Sequence, residues 1–297
     1  MNKYVANVTW KVDEDWDQEL LRPFLRERCH ISKKGLAQIK HNGGSILVNE
    51  KEVTVRQTIQ TGDEVTICLP AEQASSSMEA EEGILEILYE DDHLLVINKQ
   101  AGIPTIPSRE HLTHTLANFV LGYYKKRKIP ATFHAVNRLD KDTSGALIVA
   151  KHRIAHDRLS KLQQAGAVNR YYRALVTGEL SRKKGTIEAP IGRDPNSIIT
   201  RQVREDGKRA VTHYSVQSET SYGSFVHIKL ETGRTHQIRV HFSYIGHPLL
   251  GDDLYGGKHI GITRQALHCG MIEFQHPFTG EKICRTCELP EDMRRLL

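Results

Sequence analysis

Leu20, Leu21, Phe24 and Leu25 recur at helical spacing behind Asp17, a residue type that caps helices, and Pro23 lies near the start, where its missing N–H costs least. Ser32 can cap a second, shorter helix that turns Leu36 and Ile39 inward and stops at Gly43-Gly44. The period then changes from helical to alternating. Ile46–Asn49 reads as a strand that turns at Glu50-Lys51, and Gly62-Asp63 precedes a further strand over Val65–Cys68. Residues 71–83, Ala-Glu-Gln-Ala-Ser-Ser-Ser-Met-Glu-Ala-Glu-Glu-Gly, are small, polar and acidic without an apolar face, the composition of a linker. The pattern therefore predicts a unit over 1–70, a linker over 71–83 and a second unit over 84–297.

In the second unit strand-like stretches dominate: Ile84–Tyr89, Leu94–Ile97, Ala146–Ala150, Tyr172–Val176, Thr212–Val216 and Phe225–Leu230. Helices intervene where Leu116, Phe119, Val120 and Tyr123, then Ala155, Leu159 and Leu162, then Ile238, Phe242 and Ile245 fall on one face. Hairpins mixed with separated helices predict an α+β fold around a largely antiparallel sheet flanked by helices. No internal repeat is visible, and 297 residues suffice for two domains with a sizeable core.

Composition adds a partner hint. The net basic excess is modest, 41 Lys and Arg against 36 Asp and Glu, but between 21 and 40 there are six basic residues, Arg22, Arg26, Arg28, Lys33, Lys34 and Lys40, against the single acid Glu27. Such a cluster is either a solvated helical face or a phosphate-binding one. Five cysteines, an odd number, suit a reducing compartment, the apolar runs are too short to cross a bilayer, and the opening Met-Asn-Lys-Tyr-Val is no signal peptide, so a soluble cytoplasmic protein is expected. Cys284 and Cys287 have metal-ligand spacing without a second pair, and the sixteen histidines form no compact ligand set. No metal is expected. Nor is any cofactor, since neither a Walker loop nor a Gly-x-Gly-x-x-Gly turn opens a helix.

Candidate chemistry lies in two segments, Asn137-Arg-Leu-Asp-Lys-Asp-Thr-Ser-Gly145 and Thr232-Gly-Arg-Thr-His-Gln-Ile-Arg239. Guanidinium groups beside Asp140 can hold its carboxylate ionised, as a nucleophile or base needs; taken alone, an Asp in a polar turn is more often a helix cap than a catalyst.

These segments resemble the RluA/RluD branch of the pseudouridine synthases, whose loops carry Arg-Leu-Asp-x-x-Thr-Ser-Gly, matched by Arg138 to Gly145, and Leu-x-Thr-Gly-Arg-Thr-His-Gln-Ile-Arg-Val-His, matched by Leu230 to His241. Further echoes at Tyr89 to Lys99, Arg170 to Ala174 and His247 to Asp252 extend the resemblance over 84–297. Asn137 stands where His is usual, Gln100 where Pro is usual, and Arg170 where Lys is usual. The resemblance implies a mixed sheet with an active cleft across its middle and cofactor-free isomerisation of uridine, in which Asp140 attacks ribose C1′ or removes the C2′ proton. It further implies Arg234 as the basic partner of Asp140, and Tyr172 as the aromatic face for a flipped-out base, with Tyr171 on the opposite side of its strand. Arg138 is expected to position the loop or a phosphate, and Leu249 or Leu250 to wall the pocket. Asn98-Lys99 either touches RNA or ends a strand. The order of elements over 15–70 resembles the S4 RNA-binding module, a small α/β unit, which tilts the expected target towards large-subunit rRNA, with tRNA as the second choice. A monomer is expected.

Two other readings compete. Asp140-Lys-Asp142 with Gly251-Asp252-Asp253 superficially suits a magnesium-dependent aspartyl phosphotransferase, although Ser144 stands where that motif takes Thr or Val. A catalytically silent RNA-binding protein is the other, and the joint presence of Asp140, Tyr172 and Arg234 argues against it.

Overall fold

The computed structural model of the chain describes residues 4–72, 78–108 and 111–297. Strands β1 (Tyr4–Lys11), β2 (Ser45–Val48), β3 (Lys51–Glu52) and β4 (Glu64–Pro70) form an amino-terminal sheet in the order β1-β4-β2-β3. Helix α1 (Leu21–Pro23) runs on as a π-helical turn (Phe24–Arg28) and buries Leu21, Phe24 and Leu25 completely. Asp17 does not cap it; its carboxylate instead accepts from the Thr61 N–H at 2.8 Å. Ser32 does cap helix α2 (Lys33–His41), accepting from the Gly35 N–H at 3.0 Å. The hairpin turn falls on Asn49-Glu50, one residue before the expected place, with both residues left-handed (φ 49° and 66°) as the twist of a two-residue hairpin loop requires. The strand β1 was not expected from the sequence.

The second unit is built on β5 (Glu86–Glu90), β6 (Leu94–Lys99), β7 (His134–Ala135), β8 (Ser144–Ala150), β9 (Asn169–Thr177), β10 (Lys184–Glu188), β13 (Val211–Thr220), β14 (Gly223–Leu230), β15 (Leu267–Gln275) and β16 (Lys282–Thr286), while β11 (Ile191–Arg193) and β12 (Arg201–Val203) make a separate hairpin. The sheet order is β10-β13-β14-β9-β15-β8-β6-β5, with β7 on β8 and β16 on β15. Pairing is antiparallel except between β8 and β15, where His268 lies beside Ser144 and Cys269 beside Gly145. This is the mixed, largely antiparallel α+β architecture expected.

All seven residues of β8 are buried, as in a strand at the centre of a sheet covered on both faces. Gly145, the second residue of that strand, has φ 112°, and a Cβ there would lie 2.2 Å from the Cys269 carbonyl oxygen, so the close parallel crossing demands glycine. Helices α3 (Leu116–Arg127), α4 (Arg153–Gln164) and α5 (Gln237–Tyr244) follow the expected apolar faces; α6 (Glu291–Arg294) closes the chain.

Part of the expected linker, residues 73–77, lies outside the described residues. Its flanks are tied down: the Glu72 carboxylate meets His134 at 2.7 Å and the Arg153 N–H at 2.8 Å, and the Glu81 N–H donates to the Asn118 carbonyl. The amino-terminal unit also rests on α4, where Arg158 donates to the carbonyls of Cys29 and Pro277 while its guanidinium lies over the rings of Trp10 and Phe278.

Candidate active site

The loop entering β8 is anchored at successive residues. Asn137 accepts from the Ile148 N–H through Oδ1 at 2.9 Å, which answers what orients the loop where histidine is usual. The Leu139 carbonyl accepts from Thr105 Oγ1 at 2.7 Å, the Lys141 carbonyl from Lys99 Nζ at 2.8 Å, the Asp142 carbonyl from Arg264 Nη1 at 2.9 Å, and Thr143 Oγ1 from Gln265 Nε2 at 3.2 Å. A loop fixed at these points presents Asp140 in one orientation, and such preorganisation lets a carboxylate act without reordering.

Lys99 carries more of this than its sequence context suggested. It is buried to 1 % exposure, and Nζ donates also to the carbonyls of Gln100 and Ile103, both at 2.8 Å. It therefore neither reaches RNA nor merely ends β6: it knots the 99–103 turn to the backbone directly after Asp140. Burial pulls its pKa down to about 7 against the opposing pull of Asp142 and Asp140.

The partner of Asp140 differs from the expectation. Arg234 is exposed in the turn before α5 and donates Nε to the Arg209 carbonyl at 2.9 Å. Arg239, one and a half turns further on, is buried to 5 % exposure and donates Nη1 to Asp140 Oδ2 at 3.1 Å. Its Nε and Nη2 form a bidentate pair with the fully buried Asp252, both at 2.7 Å. Although burial alone would weaken the guanidinium's hold on its proton, the two carboxylates raise its pKa. Residues 237–242 of α5 are all buried, so a charge within that run needs a partner; an arginine set among the apolar Ile238, Val240 and Phe242 was the sequence signal for Arg239, whereas Arg234 was expected from its match to the family motif. With both oxygens of Asp252 taken by Arg239, the grouping with Gly251 and Asp253 does not form the magnesium site that a phosphotransferase would need.

His236 Nε2 lies 3.8 Å from Asp140, and Nδ1 meets the Tyr255 hydroxyl at 2.8 Å. Burial, with Arg239 and Arg201 nearby, lowers its pKa despite Asp140, so the imidazole is neutral at pH 7.

Asp140, Tyr172, Arg138 and Arg234 line one cleft of about 700 Å³. Tyr172 lies at its floor on β9, buried to 5 % exposure and opposite Cys269 of β15. Burial and the neighbouring thiol raise its phenol pKa, so the hydroxyl stays protonated at neutral pH. Tyr171 faces the other side of the sheet, where Lys229 Nζ stands 5.7 Å from its ring centre, as strand alternation requires. Leu249 and Leu250 do not reach the cleft. Both are fully buried behind it, Leu249 bridging to Val176 and Leu250 packed in the carboxy-terminal cluster with Leu175 and Met293; Leu139, Leu230, Ile238 and Leu267 supply the apolar wall instead. Arg138 is exposed at the rim, and Arg22, Arg26, Arg28, Lys33, Lys34 and Lys40 are exposed on the amino-terminal unit.

Comparison with known proteins places this geometry. Residues 93–244, which hold the Asp140 loop, β9 and α5, match the family described as RNA pseudouridylate synthase. The chain is 49 % identical over 267 residues to the uncharacterized RNA pseudouridine synthase YjbO of Bacillus subtilis, covering 90 % of this chain and 94 % of that one. It is 35 % identical over 291 residues to the ribosomal large subunit pseudouridine synthase D of Nitrosomonas europaea, covering 95 % and 80 %. Among solved structures, human RNA pseudouridylate synthase domain containing 1 superposes with a TM-score of 0.57 at 28 % identity, over 73 % of this chain and 86 % of that one. The chain belongs to the RluA/RluD-type RNA pseudouridine synthases and is an isomerase.

Proposed function

We propose that this enzyme isomerises uridine in large-subunit rRNA, with Asp140 acting on the ribose, by attack at C1′ or by removal of the C2′ proton. Either route breaks the C1′–N1 bond, lets the uracil turn within the cleft, rejoins it through C5 and releases the C5 hydrogen, with no net oxidation. The single observation that carries the reading is the 3.1 Å contact from the buried Arg239 to the partly exposed Asp140, which fixes that side chain against a guanidinium at the mouth of a cleft floored by an aromatic ring. Tyr172 is the platform for the flipped base; its protonated hydroxyl is a donor and not a resting base. Arg138, exposed beside Asp140, meets the RNA backbone at the rim.

Residues 1–70 serve as an S4-like RNA-docking module whose six exposed basic side chains engage phosphates, and 71–83 joins it to the catalytic domain over 84–297. The rRNA assignment is supported by the relative whose name specifies the ribosomal large subunit, and the remaining expectations are a cytoplasmic monomer working without cofactor. No helix among the described residues is long and apolar enough to cross a membrane. Mapping pseudouridines in total RNA from cells with and without the gene tests the target. Large-subunit sites that vanish with the gene support the reading, and sites lost from tRNA alone refute it.

A further inference from the structure

Arg170 is a buried cation with no counter-ion among the described residues. It is 7 % exposed, lines the cleft that holds Asp140, makes no ion pair with any described residue, and its Nε is enclosed without a hydrogen-bond acceptor. An isolated charge in such a place costs several kcal/mol unless something pairs it. Most other buried charges of the site are matched: Arg239 has two carboxylates, and Lys99 has three carbonyls. The exception leaves the pairing charge to be supplied by a bound molecule.

The turn before α5 leaves space beside this guanidinium. Gly233, in the turn before α5, lies so close that a Cβ would sit 2.9 Å from both Nη1 and Nη2, and its backbone has no left-handed angle that would by itself require glycine. With glycine in the Thr-Gly-Arg turn, the Arg170 guanidinium can lie against the backbone there. Along β9, Arg170 precedes Tyr172 by two residues, so both side chains leave the same face, about 6.6 Å apart along the strand. Asn137, 3 % exposed on the same cleft, has its Oδ1 fixed by Ile148 and its Nδ2 left without an acceptor, a second idle donor.

We infer that Arg170 is the anion seat of the cleft and takes the phosphodiester flanking the flipped uridine, with the fork of its guanidinium matching two phosphate oxygens. This rests on the reading of the Asp140 cleft as the active one. A phosphate is present on every nucleotide, is already charged before reaction, and supplies the counter-ion the protein omits. Its contact exists in the ground state and the transition state alike, so losing it should raise KM more than it lowers kcat.

The test uses the full chain and total RNA tritiated at uridine C5, prepared from cells lacking the gene, with tritium release measured at several salt concentrations. For Arg170→Met we expect KM to rise at least tenfold, the log–log salt slope of KM to shrink by about 0.7 on single-stranded segments, and the melting temperature not to fall, because an unpaired buried charge has been removed; Arg170→Lys should recover part of the KM loss. A melting temperature lowered with KM and slope unchanged would make Arg170 structural and overturn the proposal. A loss confined to kcat would place the guanidinium on the reacting base and overturn it equally. Asp140→Asn run in parallel separates the two readings: release by that variant at the wild-type rate condemns the cleft itself, whereas its silence beside an unaffected Arg170→Met condemns only the phosphate seat.

Discussion

Arg239 donates Nη1 to Asp140 at 3.1 Å while its other two nitrogens are committed to Asp252, so the carboxylate at the mouth of the cleft is held by a guanidinium that cannot swing away. The arrangement separates two arginines that the sequence presents five residues apart.

Arg239→Gln should therefore abolish isomerisation and also destabilise the fold, since it strands the buried Asp252 carboxylate; breaking a buried pair from one side costs about 3–5 kcal/mol. Arg234→Ala should lose less than tenfold in kcat/KM with an unchanged melting temperature. Calorimetry and tritium release on both variants check this, and the reverse ranking would return Arg234 to the role first expected of it.

Tyr172→Phe should keep the stacking surface, whereas Tyr172→Leu should not; base–aromatic stacking is worth about 1–3 kcal/mol. Single-turnover rates that fall in the leucine variant and hold in the phenylalanine variant fit a platform. Loss in both assigns chemistry to the hydroxyl, and damage from Tyr171→Leu with Tyr172→Leu harmless would mean the opposite face of β9 meets the base.

Acid should weaken this fold before its carboxylates titrate. Burial holds His93 and His268 down to about 4 from 6.5, so between those values the unfolded chain binds protons that the folded one refuses. The stability they contribute is present above pH 6.5 and drains as pH falls to 4, by up to about 1.4 kcal/mol per unit for each histidine. Urea midpoints that decline from pH 7 to pH 5 fit this, and a flat profile over that range contradicts the burial of these imidazoles as neutral groups.

How much of this was legible beforehand depended on whether a residue's partner was local. The Ser32 cap, the apolar faces of α3, α4 and α5 and the opposite facing of Tyr171 and Tyr172 follow from spacing alone, because helix and strand periods act within a few residues. Strand β15 escaped notice: Leu267–Gln275 is broken by Gly270 and bulged between Cys269 and Met271, so it lacks a clean alternation although it lies at the sheet's centre. Arg239 and Lys99 escaped for a different reason. Their partners, Asp140 and Asp252 for one and the Lys141 carbonyl for the other, are brought in by the fold, and Leu249 and Leu250 were misplaced because a family motif marks their position in the chain but not their depth.

Replacing Arg22, Arg26, Arg28, Lys33, Lys34 and Lys40 together by Gln should weaken binding to long structured RNA and flatten its salt dependence, each lost phosphate contact removing about 0.9 from the log–log slope if the RNA behaves as duplex. All six are exposed, so the melting temperature should hold. An unchanged affinity and slope would assign the basic face of 21–40 to another partner.

The most direct test of the account is Asp140→Asn, which keeps the shape of the side chain and an oxygen for Arg239 but removes the charge. In a single-turnover assay of tritium release from C5-labelled uridine in RNA, we predict a rate lower by about 10⁴-fold or more, with the melting temperature and RNA affinity close to wild type. Release within about tenfold of the wild-type rate would contradict the assignment of Asp140 as the group that acts on the ribose.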